Sequence, residues 1–403
     1  MTATTGFSAG PQTNDVVFSY ASEAAWGTLP AVQFQAIRVT GDTLAGKKKR
    51  DRPSELGTYQ AADAVTTEES ADGALNYALS YGTFDDFFAS ALNNDWQAAQ
   101  TINSITTDLT ITTATNVLTS TLAGKFTNLS VGQYIRMIGW VNGANNVIAR
   151  IILKTSAQNI TLSAPAVAFV TETSAAGNAK IRASVIQNAN LFKSLYIQKA
   201  LSATLYTRYA GAKVTGFILS GGVGQYLSGS FQVAAKDEQK STSNASTGAV
   251  LAAPTGRVHD PVTNFSGVYR NNSLVSGTVD SFTINVTSEG AAPQYGMGSA
   301  SAVGMLQGKF MASGTLKMFF ADFTLYDTFK NEASAPIAIV TRDASGNAYA
   351  FTFTKANLLN PQIVAGGPNQ SVMATFDIEG NPHDGVDLTT TAGTFSIDRM
   401  PPT

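Results

Sequence analysis

Cysteine is absent from the 403 residues, which excludes disulfides, thiolate metal sites and cysteine nucleophiles. Histidine is nearly absent. His259 and His383 are the only imidazoles, so a histidine-based zinc site would need carboxylates to complete it. Charge is scarce as well, at 13% of residues, against about 25% in a typical soluble domain. No apolar run approaches the ~20 residues of a membrane-spanning helix. The opening Met1-Thr2-Ala3-Thr4-Thr5-Gly6 has neither a basic stretch nor an apolar one, so no signal peptide is expected and folding in the cytoplasm of the producing cell is. Solenoid periods and coiled-coil heptads are also missing.

Ala, Thr, Ser, Asn and Gly fill the space that charge leaves. A surface of this kind is poorly protected against self-association and suits a subunit covered by copies of itself. The formal net charge is −2, from 26 basic and 28 acidic residues. Residues 47–52 hold five of the basic residues and one acid; without them the balance is 21 against 27, or −6. A chain-wide nucleic-acid-binding face is therefore not expected.

Period-two alternation dominates and predicts half-buried antiparallel strands. Leu75, Tyr77, Leu79 and Tyr81 share one face, and Leu316 to Phe320 alternates less cleanly. Tyr349, Phe351 and Phe353 alternate with Ala350, Thr352 and Thr354. With residues 337–341 and the turn Asp343-Ala344-Ser345-Gly346-Asn347 they predict a hairpin. One helix is expected after Thr83 as N-cap, with Phe84, Phe87, Phe88, Ala91 and Leu92 on a single apolar stripe that packs onto a sheet. Residues 104–183 read as a separate unit, opening on a Thr-rich run and punctuated by Gly/Asn turns. Residues 238–276 read as a long loop.

The chemical motifs favour plain readings. Gly6-Phe7-Ser8-Ala9-Gly10 matches a nucleophile elbow but has no strand before it, and reads as a flexible N-terminal segment. Ser220-Gly221-Gly222-Val223-Gly224 lacks the last glycine of a dinucleotide fingerprint and reads as a turn. Asp85 and Asp86 point about 100° apart on a helix. They are read as solvated acids in the first turn, where the helix dipole favours them. His259 and His383 read as surface-turn residues, and Asn-x-Ser/Thr sites such as Asn128, Asn159, Asn264 and Asn285 follow from composition. So few candidate bases and nucleophiles point away from an enzyme, and no cofactor or metal is expected. The basic run Lys47, Lys48, Lys49, Arg50 and Arg52 has no interleaved aromatics. Three readings stay open for it: a solvated loop tip, a contact to an acidic protein surface, and nucleic acid.

The order of these features resembles the tail tube proteins of long-tailed bacteriophages (siphophages). A strand over residues 32–40 precedes the basic loop. Residues 65–81 follow, and Gly82-Thr83-Phe84-Asp85-Asp86-Phe87-Phe88 to Trp96 is similar to that family's strand feeding a helix that ends near a tryptophan. Residues 314–322, then 325–331, then the hairpin through Gly346 and Phe353, repeat its C-terminal pattern. The resemblance covers roughly residues 15–100 and 190–400, and residues 104–183 depart from it. It implies a mainly β chain: a tail-tube antiparallel β-sandwich with a flanking helix. Residues 1–103 and 184–403 would form that core, and 104–183 an inserted small β-sandwich or barrel on its outside.

What the resemblance implies further is a structural subunit that forms stacked, hexameric rings, the channel for DNA ejection. Its partners would be itself and other tail proteins such as the tape measure, tail terminator and distal tail proteins. DNA would pass without specific binding and no membrane would be involved. The location would be the virion tail, after assembly in the host cytoplasm. In the family the loop at residues 40–59 reaches the adjacent ring, which makes Lys47, Lys48, Lys49, Arg50 and Arg52 inter-ring contact candidates. They would be mobile in the free subunit. Phe84, Phe87, Phe88 and Leu92 would pack the helix on its sheet. The rival reading is a carbohydrate-binding or adhesin-like β-protein of a virion surface, with Trp140 as its platform residue.

Overall fold

Alternation of small polar and apolar residues leaves this chain little choice but strands, and strand accounts for 50% of the structure against 5% for helix. The computed structural model describes residues 10–262, 264–383 and 393–402. The Gly6–Gly10 motif lies outside them except for Gly10. The class is an antiparallel β-sandwich, and the sheets do not close into a barrel.

Two long strands organise it, because each changes sheet halfway. The first half of Leu205–Gly222 pairs with Leu195–Ser202 and Asp237–Ser241; its second half pairs with Ser228–Ala235 and Val279–Glu289. Ala348–Val364 pairs with Ala335–Arg342 and Phe395–Met400 early, and with Met373–Asn381 late. The broad central sheet runs, in spatial order, Val65–Ala78, Ser228–Ala235, Leu205–Gly222, Val279–Glu289, Lys309–Phe319, Met373–Asn381 and Ala348–Val364. Phe217, Ile284, Leu316 and Phe376 turn their shared face inward.

The helix Asp85–Leu92 lies on that inner face. Phe84, Phe87, Phe88 and Leu92 are at most 1% exposed. Phe88 meets Phe217, Phe231, Tyr349 and Phe351 at ring separations of 5.2–6.3 Å. Thr83 is not its N-cap. Phe84 holds that position without a side-chain cap, and the buried Thr83 hydroxyl instead bonds the Ser80 hydroxyl at 2.8 Å. In Ala335–Val364 the hairpin turn is closed by Asp343, whose carboxylate accepts from the Asn347 amide N–H at 2.8 Å and side chain at 2.7 Å.

Three other expectations are corrected. Residues 32–40 are not one strand: Gln35–Ile37 pairs with Val17–Ser22 and Val39–Asp42 with Val65–Ala78, so the chain changes sheet at Arg38. Residues 238–276 are not one loop, since Phe265–Arg270 pairs with Ala335–Arg342. The basic run is not a loop either; Ala45–Asp51 is a strand paired with Val65–Ala78.

Residues 102–183 gather a hydrophobic cluster of their own, including Leu109, Phe126, Trp140, Ile151 and Ile181. The strand Lys180–Gln187 ties it to the rest. Its first half pairs with Gln100–Asn103 and Tyr134–Ile138, and its second half with Phe395–Met400. Tyr134 also packs on Ala338, Val340, Ala348, Ala350 and Met400. That cover explains why both faces of Ala348–Phe353 are buried although the sequence alternates.

Candidate assembly surfaces

Several of the candidate acids and bases sit in structural contacts. His259 is not a surface-turn residue: it is fully buried, bonds Thr341 through Nδ1 at 3.0 Å, and burial pushes its pKa down to about 4. His383 borders a cleft with Arg150 and Asn272. Asp85 and Asp86 are not solvated acids. Asp85 accepts from Tyr349 Oη at 2.6 Å and pairs with Arg399, while Asp86 accepts from Tyr20 Oη at 2.8 Å. Burial raises the Asp85 pKa against the opposing pull of Arg399 and Tyr349. Ser220–Gly222 ends a strand at a turn, where a Cβ on Gly221 would come within 2.1 Å of Leu227. Among the described residues no group of three or more His, Asp or Glu could hold a metal. No helix among them is long and apolar enough to cross a membrane.

Among the buried ionisable residues that escaped the sequence reading is a lysine. Lys213 is fully buried beneath the C-terminal end of the helix Asp85–Leu92, with Nζ donating to the Ser90 carbonyl and to Asn93 Oδ1. Desolvation, with Lys193 nearby, pushes its pKa down to about 7. Asn93 ends the helix in the left-handed region (φ 54°), where its own amide N–H turns back to the Ser90 carbonyl, and Lys213 adds a second donor to that carbonyl. A lone Lys in a strand carries no sequence signal for that role.

The basic strand projects from the central sheet. Ser228–Ala235 pairs with Val65–Ala78 only as far as Ala71, so residues 65–70 pair mainly with the basic strand, apart from a single bridge of Glu69 to Ser301, and the two strands form an arm. Lys47 meets Asp72 at 2.7 Å, Lys48 meets Glu69 at 2.7 Å, and Lys49 meets Glu68 at 2.9 Å. Arg50 donates to the Ala64 carbonyl at 2.8 Å, and the Arg52 amide to Asp51 at 2.9 Å. Opposite charges across strands favour this register, and lysines suit an unprotected edge. At the arm's end Leu56 and Tyr59 are fully exposed.

The outward face of the central sheet is lined mostly by small polar residues. One row across it reads Asn76, Ser230, Ile218, Asn285, Ser313, and the next reads Ala78, Ser228, Ser220, Thr283, Thr315. Charge enters toward the margins of the face, with Asp72, the pair Glu289–Lys309, Lys317, Asp377 and Glu379. At the end of the sheet away from the arm, Phe319, Phe323, Val364 and Val372 form an exposed apolar patch beside Phe320. Trp140 is 4% exposed inside the 102–183 cluster, so it offers no platform to a sugar.

A comparison with curated proteins finds no match. A family model described as phage tail tube protein matches residues 13–380, which takes in the arm, the helix, the central sheet and the 102–183 unit. The sandwich with its flanking helix agrees with that match: the chain belongs to the phage tail tube protein family.

Proposed function

We propose that copies of this chain close into rings of six, that the rings stack into a tube, and that the outward face of the central sheet lines the channel through which DNA is ejected. The reading rests on membership of the tail tube family. The observation that carries its finer part is the composition of that face. Its Ser, Thr and Asn rows offer hydrogen-bonding groups and almost no cations. A basic wall would hold DNA by releasing counterions and slow its passage, whereas the two middle rows of this wall carry no cation. The arm, with Lys47, Lys48, Lys49, Arg50 and Arg52, reaches toward the adjacent ring. The tape measure, terminator and distal tail proteins are the expected further partners, and the tail of the virion is the site of action.

Electron microscopy of the purified protein at high concentration tests the assembly, with rings or tubes around an open centre expected. A strict monomer at every concentration and salt would sink the reading. The wall is tested by Thr283→Lys combined with Ser313→Lys and Thr315→Lys. Tubes of this variant should retain DNA at low salt and release it as salt rises, and parent tubes should not retain it. Equal behaviour of the two would move the channel to another face.

A further inference from the structure

Where the 102–183 unit meets the core, a cleft of about 320 Å³ is left open. That is the lower end of ordinary small-molecule pockets, and room for roughly ten waters. Val131, Arg150 and Ile152 line it from the unit, and Asn272, Pro336 and His383 from the core. The core side is stiff. Asn271 and Asn272 form the turn between Phe265–Arg270 and Ser273–Leu274, both left-handed at φ 48° and 67°, as a two-residue hairpin turn requires. The Asn271 amide N–H also bonds the Pro336 carbonyl at 3.0 Å.

Arg150 brings a charge to this cleft that its own surroundings do not neutralise. The side chain is half-buried. Its Nε donates to the Gly132 carbonyl at 2.9 Å and its Nη1 to Asn272 Oδ1 at 2.8 Å, both uncharged acceptors. Among the described residues it forms no ion pair, its Nη2 has no partner, and no acid lines the cleft. Asp398 acts on it only from a distance. That carboxyl is fully buried, with one oxygen on the Tyr134 amide N–H and the other unpartnered, and burial favours its neutral form. Burial likewise draws the Arg150 pKa down, against a smaller opposite pull from Tyr134 and Asp398. An arginine keeps its charge inside a protein. A partly desolvated cation bonded only to neutral oxygens is stabilised most by an anion, and its planar fork fits a carboxylate.

We propose that the cleft binds a small organic carboxylate, with its charged end on the Arg150 guanidinium and its carbon skeleton against Val131, Ile152 and Pro336. The apolar walls favour such a molecule over a hydrated inorganic anion, since ligand pockets combine apolar lining with a few placed polar groups. His383 brings a ring N–H to the same cleft as a further donor. Because its walls come from both sides of the junction, the bound molecule bridges the 102–183 unit to the core. The site goes beyond the assembly role and does not depend on it.

Benzoate, a planar carboxylate on an apolar ring, is the probe. Titrated into the full chain it should give a saturable heat and raise the melting temperature, because it binds the folded state alone. Inorganic phosphate at the same ionic strength should do neither. Asn272→Asp puts a carboxylate where Oδ1 already meets Arg150, in a backbone conformation that aspartate tolerates. This variant should fold, melt higher than the parent without benzoate, and bind benzoate at least about tenfold more weakly. Absence of any benzoate response in the parent overturns the proposal. An equal response to phosphate does so too, since it would show only a general attraction of anions. Equal benzoate affinity in the parent and a folded Asn272→Asp would put the binding elsewhere. A response of the dispersed chain that disappears in its assemblies would show the cleft filled by a neighbouring copy, and the small-molecule reading would fall.

Discussion

Lys213 shows how much a single buried group can weigh here. Its folded pKa, about 7, lies below the ordinary lysine value of 10.5 because burial disfavours the ammonium. Between these two values the unfolded chain holds a proton that the folded chain has released, so stability rises with pH across that window. Below about pH 7 the lysine is charged in both states and the cost of burying it is complete. Unfolding in urea should therefore show the parent gaining stability between about pH 7 and 10 relative to Lys213→Met, with a slope approaching ~1.4 kcal/mol per unit. Parallel profiles for the two proteins would mean that Lys213 stays charged in place. Asp85 and His259 make the same point in milder form: sequence position suggested solvent, and the packing of Tyr349 against both of them decided otherwise.

At the scale of elements, the helix Asp85–Leu92 and the basic strand Ala45–Asp51 are opposites. The helix is short, has no side-chain cap, and exists because its phenylalanines are enclosed by the central sheet. The strand is exposed along its whole length and held by its backbone ladder and rim ion pairs. Phe88→Ala should cost about 3–5 kcal/mol in denaturant unfolding, as other large-to-small core changes do. Lys49→Ser, which removes an ion pair with a lysine side chain 66% exposed, should leave the denaturation midpoint nearly unchanged. Comparable losses from the two would show that the arm is part of the core's cooperative unit. The stripe Phe84, Phe87, Phe88 and Leu92 was legible because it follows the helical period. The basic strand was not, because Lys-Lys-Lys-Arg has no alternation. Its partner acids lie about twenty residues further on, where only the hairpin brings them opposite.

For the whole molecule the open question is how far the 102–183 unit stands alone. It has its own apolar cluster, and its ends are adjacent, since Asn103 pairs with Lys180. Yet Tyr134 covers Ala338, Val340, Ala348 and Ala350, and its amide N–H bonds the fully buried Asp398 at 3.1 Å. Burial pushes the Asp398 carboxyl well above the usual range, against the pull of that N–H and of Arg150. Joining Asn103 to Lys180 through a short turn should leave a chain that folds by circular dichroism but melts at lower temperature. The reason is that a sheet face built for burial is opened to water. An unchanged melting temperature would mean that the junction adds nothing, and loss of the fold would mean that the unit is integral to the core.

The mainly β class, the one strong helix and the absence of thiol chemistry were set by composition and period alone. Those properties depend on residues within a few positions of each other, as with Leu75, Tyr77 and Leu79. The feature order that carries the family was legible for the same reason. The places where strands change sheet, at Arg38 and within Leu205–Gly222 and Ala348–Val364, left no mark on the alternation, because both halves of such a strand bury one face. Which face looks outward, which acids meet Lys47 to Lys49, and that apolar surface stands at both ends of one sheet were decided only in three dimensions. Each depends on pairings between residues distant in the chain, and period-two alternation says which residues share a face but not what lies opposite it.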